Sequence, residues 1–140
     1  MYFLVSLLVM AFFHYAAPGA YILREPYRYG GLVIMALALG LVVWAALLFR
    51  RARTAIHPHE QPSALVTGGP YRYTRNPMYL GMAGTLLGAA LLMGSLSPFA
   101  VIPAFMALIA DRFIAPEEAM LERAFGREYL DYKVKVSRWL

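Results

Sequence analysis

The chain has 140 residues, a length that favours one domain, but its composition differs from that of a soluble globular protein. Hydrophobic residues make up 61% and charged residues 15%, against about 45–50% and about 25% in ordinary globular domains. The absence of cysteine excludes disulfides and thiolate metal sites. The net charge is +5, and because the basic residues flank apolar segments, they indicate binding of anionic lipid and membrane topology rather than binding of nucleic acid.

The first two apolar segments cover residues 2–17 and 31–49. The first lacks a basic stretch before its apolar run, so it is predicted as a membrane helix rather than a signal peptide. The second contains no charged residue and is long enough to cross a bilayer. His14, within the first segment, is predicted to be packed or hydrogen-bonded rather than bound to a metal.

The sequence HPHE follows the second segment and is weak evidence for a metal site. His57, His59 and Glu60 have suitable side chains, but they lie in a proline-rich loop without a further ligand. We therefore predict no metal. No Ser-His-Asp arrangement, phosphate-binding loop or dinucleotide fingerprint is present in the sequence.

The next loop, GGPYRYTRNPMYLG, is rich in groups that bind ligands. Pro70 and Pro77 fix their own φ and restrict the preceding residues, Gly69 and Asn76, and a stiff loop suits a binding site. Arg75 and Asn76 offer a cation and an amide, while Tyr71, Tyr73 and Tyr79 offer aromatic faces and hydroxyls. The alternative is a belt of arginine and tyrosine at the membrane interface.

Two further apolar segments, residues 78–94 and 98–115, are joined by the short turn GSLSP and are predicted to form a helical hairpin. Arginine and lysine are concentrated in the segment before the third helix and in the tail after the fourth. Both regions should therefore face the cytoplasm, together with both termini.

Ionisable residues follow the fourth segment directly. Glu117 and Glu118 form an acidic pair, with Asp111 and Arg112 just before them. Such residues at the edge of a membrane helix are functional candidates, although a capping pair and a snorkelling arginine are the alternative. The predicted topology brings the pair to the same membrane face as the tyrosine-rich loop, so the two together could hold a zwitterion.

The tail is predicted to be one amphipathic helix on the cytoplasmic side. Its apolar residues recur at steps of three and four and are Leu121, Phe125, Tyr129, Tyr132 and Val136. Pro116 suits a first helical turn, and Gly126 either weakens the helix or allows a close approach. A helix lying on the membrane surface would show the same pattern.

The stretches LVTGGPYRYTRNPMYLG and PEEAMLERAFGREYLDYKVKVSRWL, separated by a helical hairpin, resemble the isoprenylcysteine carboxyl methyltransferase family and the related phospholipid N-methyltransferases. The resemblance covers about residues 63–140 and implies membrane-embedded methyl transfer from S-adenosylmethionine, with S-adenosylhomocysteine as product. The cofactor-binding residues that it implies are Leu65, Val66, Tyr71, Asn76, Pro77, Met78, Tyr79 and Glu117, of which Glu117 takes the ammonium. Arg112, Glu118 and Arg75 are the predicted catalytic residues, with Arg112 gripping the substrate.

The chain departs from the family pattern at two places. Asn76 stands where the family often has histidine, and an amide cannot act as a base near neutral pH. Arg112 lies slightly further from the glutamates than in the eukaryotic enzymes. A carboxylate acceptor needs no base, whereas an amine or thiol must first lose a proton.

The sequence thus predicts an all-α integral membrane protein with four spanning helices and an amphipathic cytoplasmic helix. One domain, 1–140, would consist of N-terminal helices and a linker to about residue 62 and a cofactor-binding core at 63–140. The predicted activity is methylation of a lipophilic substrate, either a carboxylate, a phospholipid amine or a thiol. The non-enzymatic alternative is a membrane scaffold. Membrane lipids and a second copy of the chain are the predicted partners.

Overall fold

The computed structural model describes residues 1–52 and 64–140, and within them every regular element is helical. The α-helices are α1 (Tyr2–Ala16), α2 (Gly30–Arg51), α3 (Pro77–Met93), α4 (Val101–Ile109), α5 (Ala115–Phe125) and α6 (Arg127–Lys135). Short 3₁₀ turns cover Tyr27–Tyr29, Gly69–Arg72 and Ser97–Ala100, and a π-helical turn covers Ala110–Ile114. The all-α prediction is confirmed for these residues. His57, His59 and Glu60 lie outside them.

The chain divides into two compact units. Unit 1 comprises Met1–Gly40 and Gly81–Leu108, and unit 2 comprises Leu41–Leu80 and Ile109–Leu140. The long helices α2 and α3 contribute residues to both. All of the predicted site residues belong to unit 2.

Unit 1 is packed through small residues on α2 and α3. A Cβ atom at Gly88 would lie 2.4 Å from the Met35 side chain and 2.6 Å from the carbonyl oxygen of Gly31. A Cβ at Gly84 would lie 3.0 Å from that of Ala38. Glycine at these positions therefore lets two helix backbones approach closely, as small residues do between membrane helices.

The connection after α1 is held against the turn between α3 and α4, also within unit 1. His14 Nδ1 lies 2.7 Å from Ser95 Oγ, and Ser95 is fully buried. The backbone N–H of Leu96 donates to the carbonyl of Ala20 at 3.0 Å. Gly94, the first residue of the predicted GSLSP turn, has φ +74°, which glycine adopts without strain. His14 is thus hydrogen-bonded, as predicted.

Within residues 1–52 and 64–140, two helical stretches are long and apolar enough to cross a membrane, whereas four were predicted. They are Tyr27–Arg51 and Ser97–Phe125. Only 11% and 28% of an apolar 18-residue stretch in each is buried within the chain. The other two apolar helices, α1 and α3, have 15 and 17 residues and are shorter than the roughly 20 residues that a full span needs.

The tail differs from the predicted single helix that starts near Pro116. Helix α4 continues through the π-helical turn into α5, so the helical stretch runs without a gap from Ser97 to Phe125. In the π turn the Ala115 N–H donates to the carbonyl of Ala110, five residues back, just before Pro116, which has no N–H to donate.

The break in the tail comes at Gly126, which separates α5 from α6. Its backbone has φ +52° and ψ −121°, a conformation that L-residues with a side chain rarely adopt. A Cβ there would meet nothing within 4 Å. The helix is therefore interrupted at Gly126, and among residues 1–52 and 64–140 nothing approaches it closely.

Candidate active site

The tyrosine-rich loop is fixed to the end of α2 through glycine and aromatic contacts. Gly69 has φ +60°, and a Cβ there would lie 2.7 Å from the Leu48 side chain and 3.3 Å from the Trp44 ring. Tyr71 is buried, and its ring meets that of Phe49 edge-on with centroids 5.4 Å apart. The loop is therefore packed closely against the end of α2.

Helix α6 holds the same loop from another side. Tyr132 Oη donates to the carbonyl oxygen of Tyr71 at 2.7 Å. Burial raises the pKa of Tyr132 to about 12, and burial also raises the pKa of Tyr71 and of Tyr129. These three phenols therefore stay protonated near neutral pH. Tyr132 donates a hydrogen bond, Tyr129 accepts one from Arg75, and Tyr71 packs against Phe49.

Glu118 is buried and binds two arginines. Arg138 forms a two-bonded fork with it, Nε to Oε1 at 3.1 Å and Nη2 to Oε2 at 2.6 Å. Arg75 Nη1 lies 3.2 Å from Oε1. The Glu118 bond raises the pKa of Arg138. Both carboxylate oxygens are thus engaged, and such charge-assisted bonds are the strong ones in proteins.

Arg75 is itself buried, with 9% of its side chain exposed. Its Nη1 also donates to Tyr129 Oη at 3.4 Å. Its Nε is buried and has no hydrogen-bond partner within residues 1–52 and 64–140. A buried N–H without an acceptor costs free energy, so this nitrogen is an unfavourable feature of the buried arginine.

Asn76 and Thr74 are tied to the segment that follows α6. Asn76 Nδ2 and Thr74 Oγ1 donate to the same carbonyl oxygen, that of Arg138, at 3.0 and 3.1 Å. The Arg75 N–H donates to the carbonyl of Ser137 at 3.0 Å. Asn76 therefore orders the loop in this structure.

Glu117 faces different partners from its neighbour. Tyr79 Oη donates to Glu117 Oε1 at 3.0 Å, and the Tyr79 ring lies 6.4 Å from that of Phe113. Glu117 is half-buried, and no arginine or lysine nitrogen of the described chain lies within 4.0 Å of it. Adjacent residues on a helix point about 100° apart, which separates the two carboxylates.

The other predicted site residues occupy varied surroundings. Pro77 is buried at the start of α3, Met78 is half-buried beside it, and Leu65 and Val66 are half-buried in the non-helical segment before the loop. Arg112 lies in the π-helical turn with 67% of its side chain exposed, and its Nε is 3.9 Å from Asp111. It does not join the Glu118 ion pairs.

Sequence reasoning missed Arg138 as a site residue and gave Tyr129 and Tyr132 only as part of an apolar face. The tyrosines lie on the face that the helical spacing indicated, so their burial had a signal. Arg138 lies beyond α6, where periodicity ends, and its partners are 20 and 62 residues distant along the chain.

Comparison with protein families assigns the chain to a class of methyltransferases with lipid-related substrates. The sequence profile described as phospholipid methyltransferase matches residues 27–128, more than half of the chain. The protein belongs to the phospholipid methyltransferase family, one of the two related families that the motifs resemble. The match includes the loop and both glutamates and ends before Tyr129, Tyr132 and Arg138.

The remaining comparisons give no information about the activity. An uncharacterized protein of Haemophilus influenzae is 41% identical over 63 residues, which are 45% of this chain and 100% of that protein. No solved structure matches the chain.

Proposed function

We propose that the protein transfers a methyl group from S-adenosylmethionine to a lipophilic acceptor in a membrane. Family membership supports methyl transfer and lipid-related chemistry. The methyl donor, the acceptor and the residues that bind them are the further content of the proposal.

The observation that carries the proposal is the difference between Glu117 and Glu118. Glu118 has its charge neutralised by Arg75 and Arg138. Glu117 is half-buried and has a single neutral partner, the hydroxyl of Tyr79, among the residues that the structure describes. A partly buried carboxylate with free acceptor capacity favours a cationic ligand, and the cofactor's ammonium is such a group.

The surrounding groups fit the rest of the cofactor. The rings of Tyr79 and Phe113 offer faces that attract a sulfonium or an adenine. Under the proposal the cofactor is held by Leu65, Val66, Tyr71, Asn76, Pro77, Met78, Tyr79 and Glu117. Glu118 and Arg75 serve by holding the loop against α5.

When bound, S-adenosylmethionine would supply an electrophilic methyl group, which would pass in line to the acceptor as the carbon–sulfur bond breaks and S-adenosylhomocysteine leaves. The residues then accelerate the reaction by positioning and by keeping water away rather than by covalent chemistry. Asn76 is neutral and donates its amide to Arg138, and Tyr71 and Tyr132 have raised pKa values. None of these three can remove a proton near neutral pH.

Two acceptor classes follow from different observations. The lack of a base at position 76 favours a lipidic carboxylate, which is already nucleophilic. The family description favours a phospholipid amine, which must arrive deprotonated or lose its proton to a group of the lipid or solvent. Arg112, exposed at the π-helical turn, is proposed to contact the acceptor's anionic part. Transfer of a radiolabelled methyl group from S-adenosylmethionine to a panel of lipid acids, amines and thiols shows which of these acceptor classes becomes labelled.

We further propose that the protein is integral to the cytoplasmic membrane, with the site on the cytoplasmic side. The exposed apolar side chains of α2, among them Leu37, Val43 and Trp44, support a lipid environment. The short helices α1 and α3 would then need a locally thinned bilayer. The arginine- and lysine-rich loops on one side support the orientation.

The test is calorimetric binding of S-adenosylhomocysteine to the detergent-solubilised protein. We expect wild type to bind and Glu117→Gln to bind about 10- to 100-fold more weakly, the usual range for a lost charged partner. Glu128→Gln is the matched control, because Glu128 is exposed in the first turn of α6. Equal affinity of Glu117→Gln and wild type would refute the role of Glu117. Absence of binding by folded wild type would favour a membrane scaffold.

A further inference from the structure

The segment after α6 connects the tyrosine-rich loop to α5 through one residue, Arg138. Val136 leaves the helix in an extended conformation, with φ −125° and ψ 126°, and its side chain is buried. The chain therefore turns away from the helix axis and runs beside the loop, rather than fraying into solvent.

The backbone of this segment accepts three hydrogen bonds from the loop. The carbonyl of Ser137 accepts from Arg75, and the carbonyl of Arg138 accepts from Thr74 and Asn76. Thr74 and Asn76 are 2% and 9% exposed, so the donor groups of two of these bonds are shielded from water. Buried polar groups of this kind fix a conformation because no solvent partner can replace the lost bond.

The side chain of Arg138 completes the connection on the other side. Its guanidinium forks onto Glu118, while its own carbonyl holds Asn76. The residue next to Glu118 is Glu117, and the residue three positions after Asn76 is Tyr79. The pair Tyr79–Glu117 is therefore set by two anchors, both of which belong to Arg138.

We propose that Arg138 is a positioning residue for the cofactor-binding pair Tyr79–Glu117. Within residues 1–52 and 64–140 its side chain forms no hydrogen bond or ion pair with either member, and it acts through Glu118 on α5 and through Asn76 at the start of α3. The inference rests on the proposed function, because it assigns to Tyr79–Glu117 the binding of the methyl donor. Arg138 lies outside the residues matched by the family profile, 27–128, so family membership does not supply this role.

The experiment measures the affinity of full-length protein for S-adenosylhomocysteine by calorimetry, for wild type, Arg138→Gln and Arg127→Gln. Arg127 is exposed at the start of α6, so its replacement removes the same charge without breaking the fork. We expect Arg138→Gln to raise Kd about tenfold, the order of one charge-assisted bond, and Arg127→Gln to leave it unchanged.

Two further variants separate positioning from general stability. Arg138→Lys keeps the charge but not the planar fork, and we expect it to recover only part of the lost affinity. In a Glu118→Gln background, Arg138→Gln should change Kd by less than about twofold, because the path through Glu118 is already broken. Melting temperatures are recorded for every variant, and binding is measured well below them.

The outcomes are distinct. Binding by wild type that Arg138→Gln leaves unchanged, even with a lowered melting temperature, overturns the positioning role and leaves the proposed function intact. If Arg138→Gln weakens binding by the same factor in the wild-type and Glu118→Gln backgrounds, the positioning role is also overturned. Failure of folded wild type to bind S-adenosylhomocysteine overturns the proposed function and the positioning role together.

Discussion

Replacing Glu118 by glutamine should destabilise the protein far more than the same change at Glu117. Glutamine keeps the shape of the side chain but removes the charge that neutralises Arg75 and Arg138. Arg75 has 9% of its side chain exposed and would remain buried without a counter-ion, whereas Arg138 is 41% exposed and can be hydrated again. The cost should therefore come mainly from Arg75.

The magnitude follows from that asymmetry. Breaking a buried ion pair by removing one partner costs about 3–5 kcal/mol, and an exposed pair contributes about 0–1 kcal/mol. With one buried and one half-exposed arginine, we expect Glu118→Gln to lower the free energy of unfolding by about 3 kcal/mol. Glu117→Gln loses only an acceptor for Tyr79 that glutamine can partly replace, so we expect a change below about 1 kcal/mol.

The assay is thermal unfolding in one detergent, followed by circular dichroism. A loss of about 3 kcal/mol should lower the midpoint by roughly 10 °C in a domain of this size. Glu128→Gln serves as the exposed control. Equal midpoints for the Glu117 and Glu118 variants would refute the reasoning, since they would mean that the two carboxylates do not differ in their surroundings.

Three further predictions concern the scaffold. Gly126→Ala should cost about 1–2 kcal/mol, measured by the same unfolding assay, because alanine is strained at φ +52°. Gly88→Ala should cost about 1–3 kcal/mol, since its Cβ would lie under 3.0 Å from backbone and side-chain atoms. The control Gly40→Ala, whose Cβ would meet nothing within 4 Å, should be neutral or slightly stabilising. Equal melting temperatures for these two variants would contradict the packing of α2 against α3. Tyr132→Phe should cost about 1 kcal/mol by losing the bond to Tyr71. Because the folded-state pKa of Tyr132 is raised to about 12, its contribution to stability is complete below about pH 10 and is lost as pH rises through 12. Between pH 10 and 12 the melting temperature of wild type should therefore fall more than that of Tyr132→Phe. Equal falls for the two proteins would contradict the assignment.

The helices were predictable because long apolar runs leave little choice of structure. The predicted segments 31–49 and 78–94 differ from α2 and α3 by one or two residues at each end. Their capacity to span a membrane was less predictable. Hydropathy marks an apolar run, but the length of the helix decides whether it can span, and α1 and α3 are short.

The candidate site was predictable as a set of residues but not as a set of contacts. The acidic pair and the loop were identified by residue type, yet nothing local distinguishes Glu117 from Glu118. Their difference depends on Arg138, which meets Glu118 only in the folded chain. The roles assigned to all these residues stay predictions until binding is measured.

Arg112 shows how a helical irregularity limits such reasoning. Arg112 precedes Glu117 and Glu118 by five and six residues, and Ala110–Ile114, which include it, form a π turn. A π turn holds one extra residue, which rotates the side chains on either side by about 100° relative to an uninterrupted helix. Nothing in the residue types of ADRFI predicts that a π turn forms there.

The unequal surroundings of Glu117 and Glu118 provide a rule for sorting related chains. A natural sequence with glutamine at the first position and glutamate at the second should fold normally and lose the methyl donor. Such a chain would be a candidate for a non-enzymatic membrane subunit. The reverse order should be rare unless the cations equivalent to Arg75 and Arg138 are replaced with it, because a fold tolerates a missing ligand more readily than a buried charge without its counter-ion.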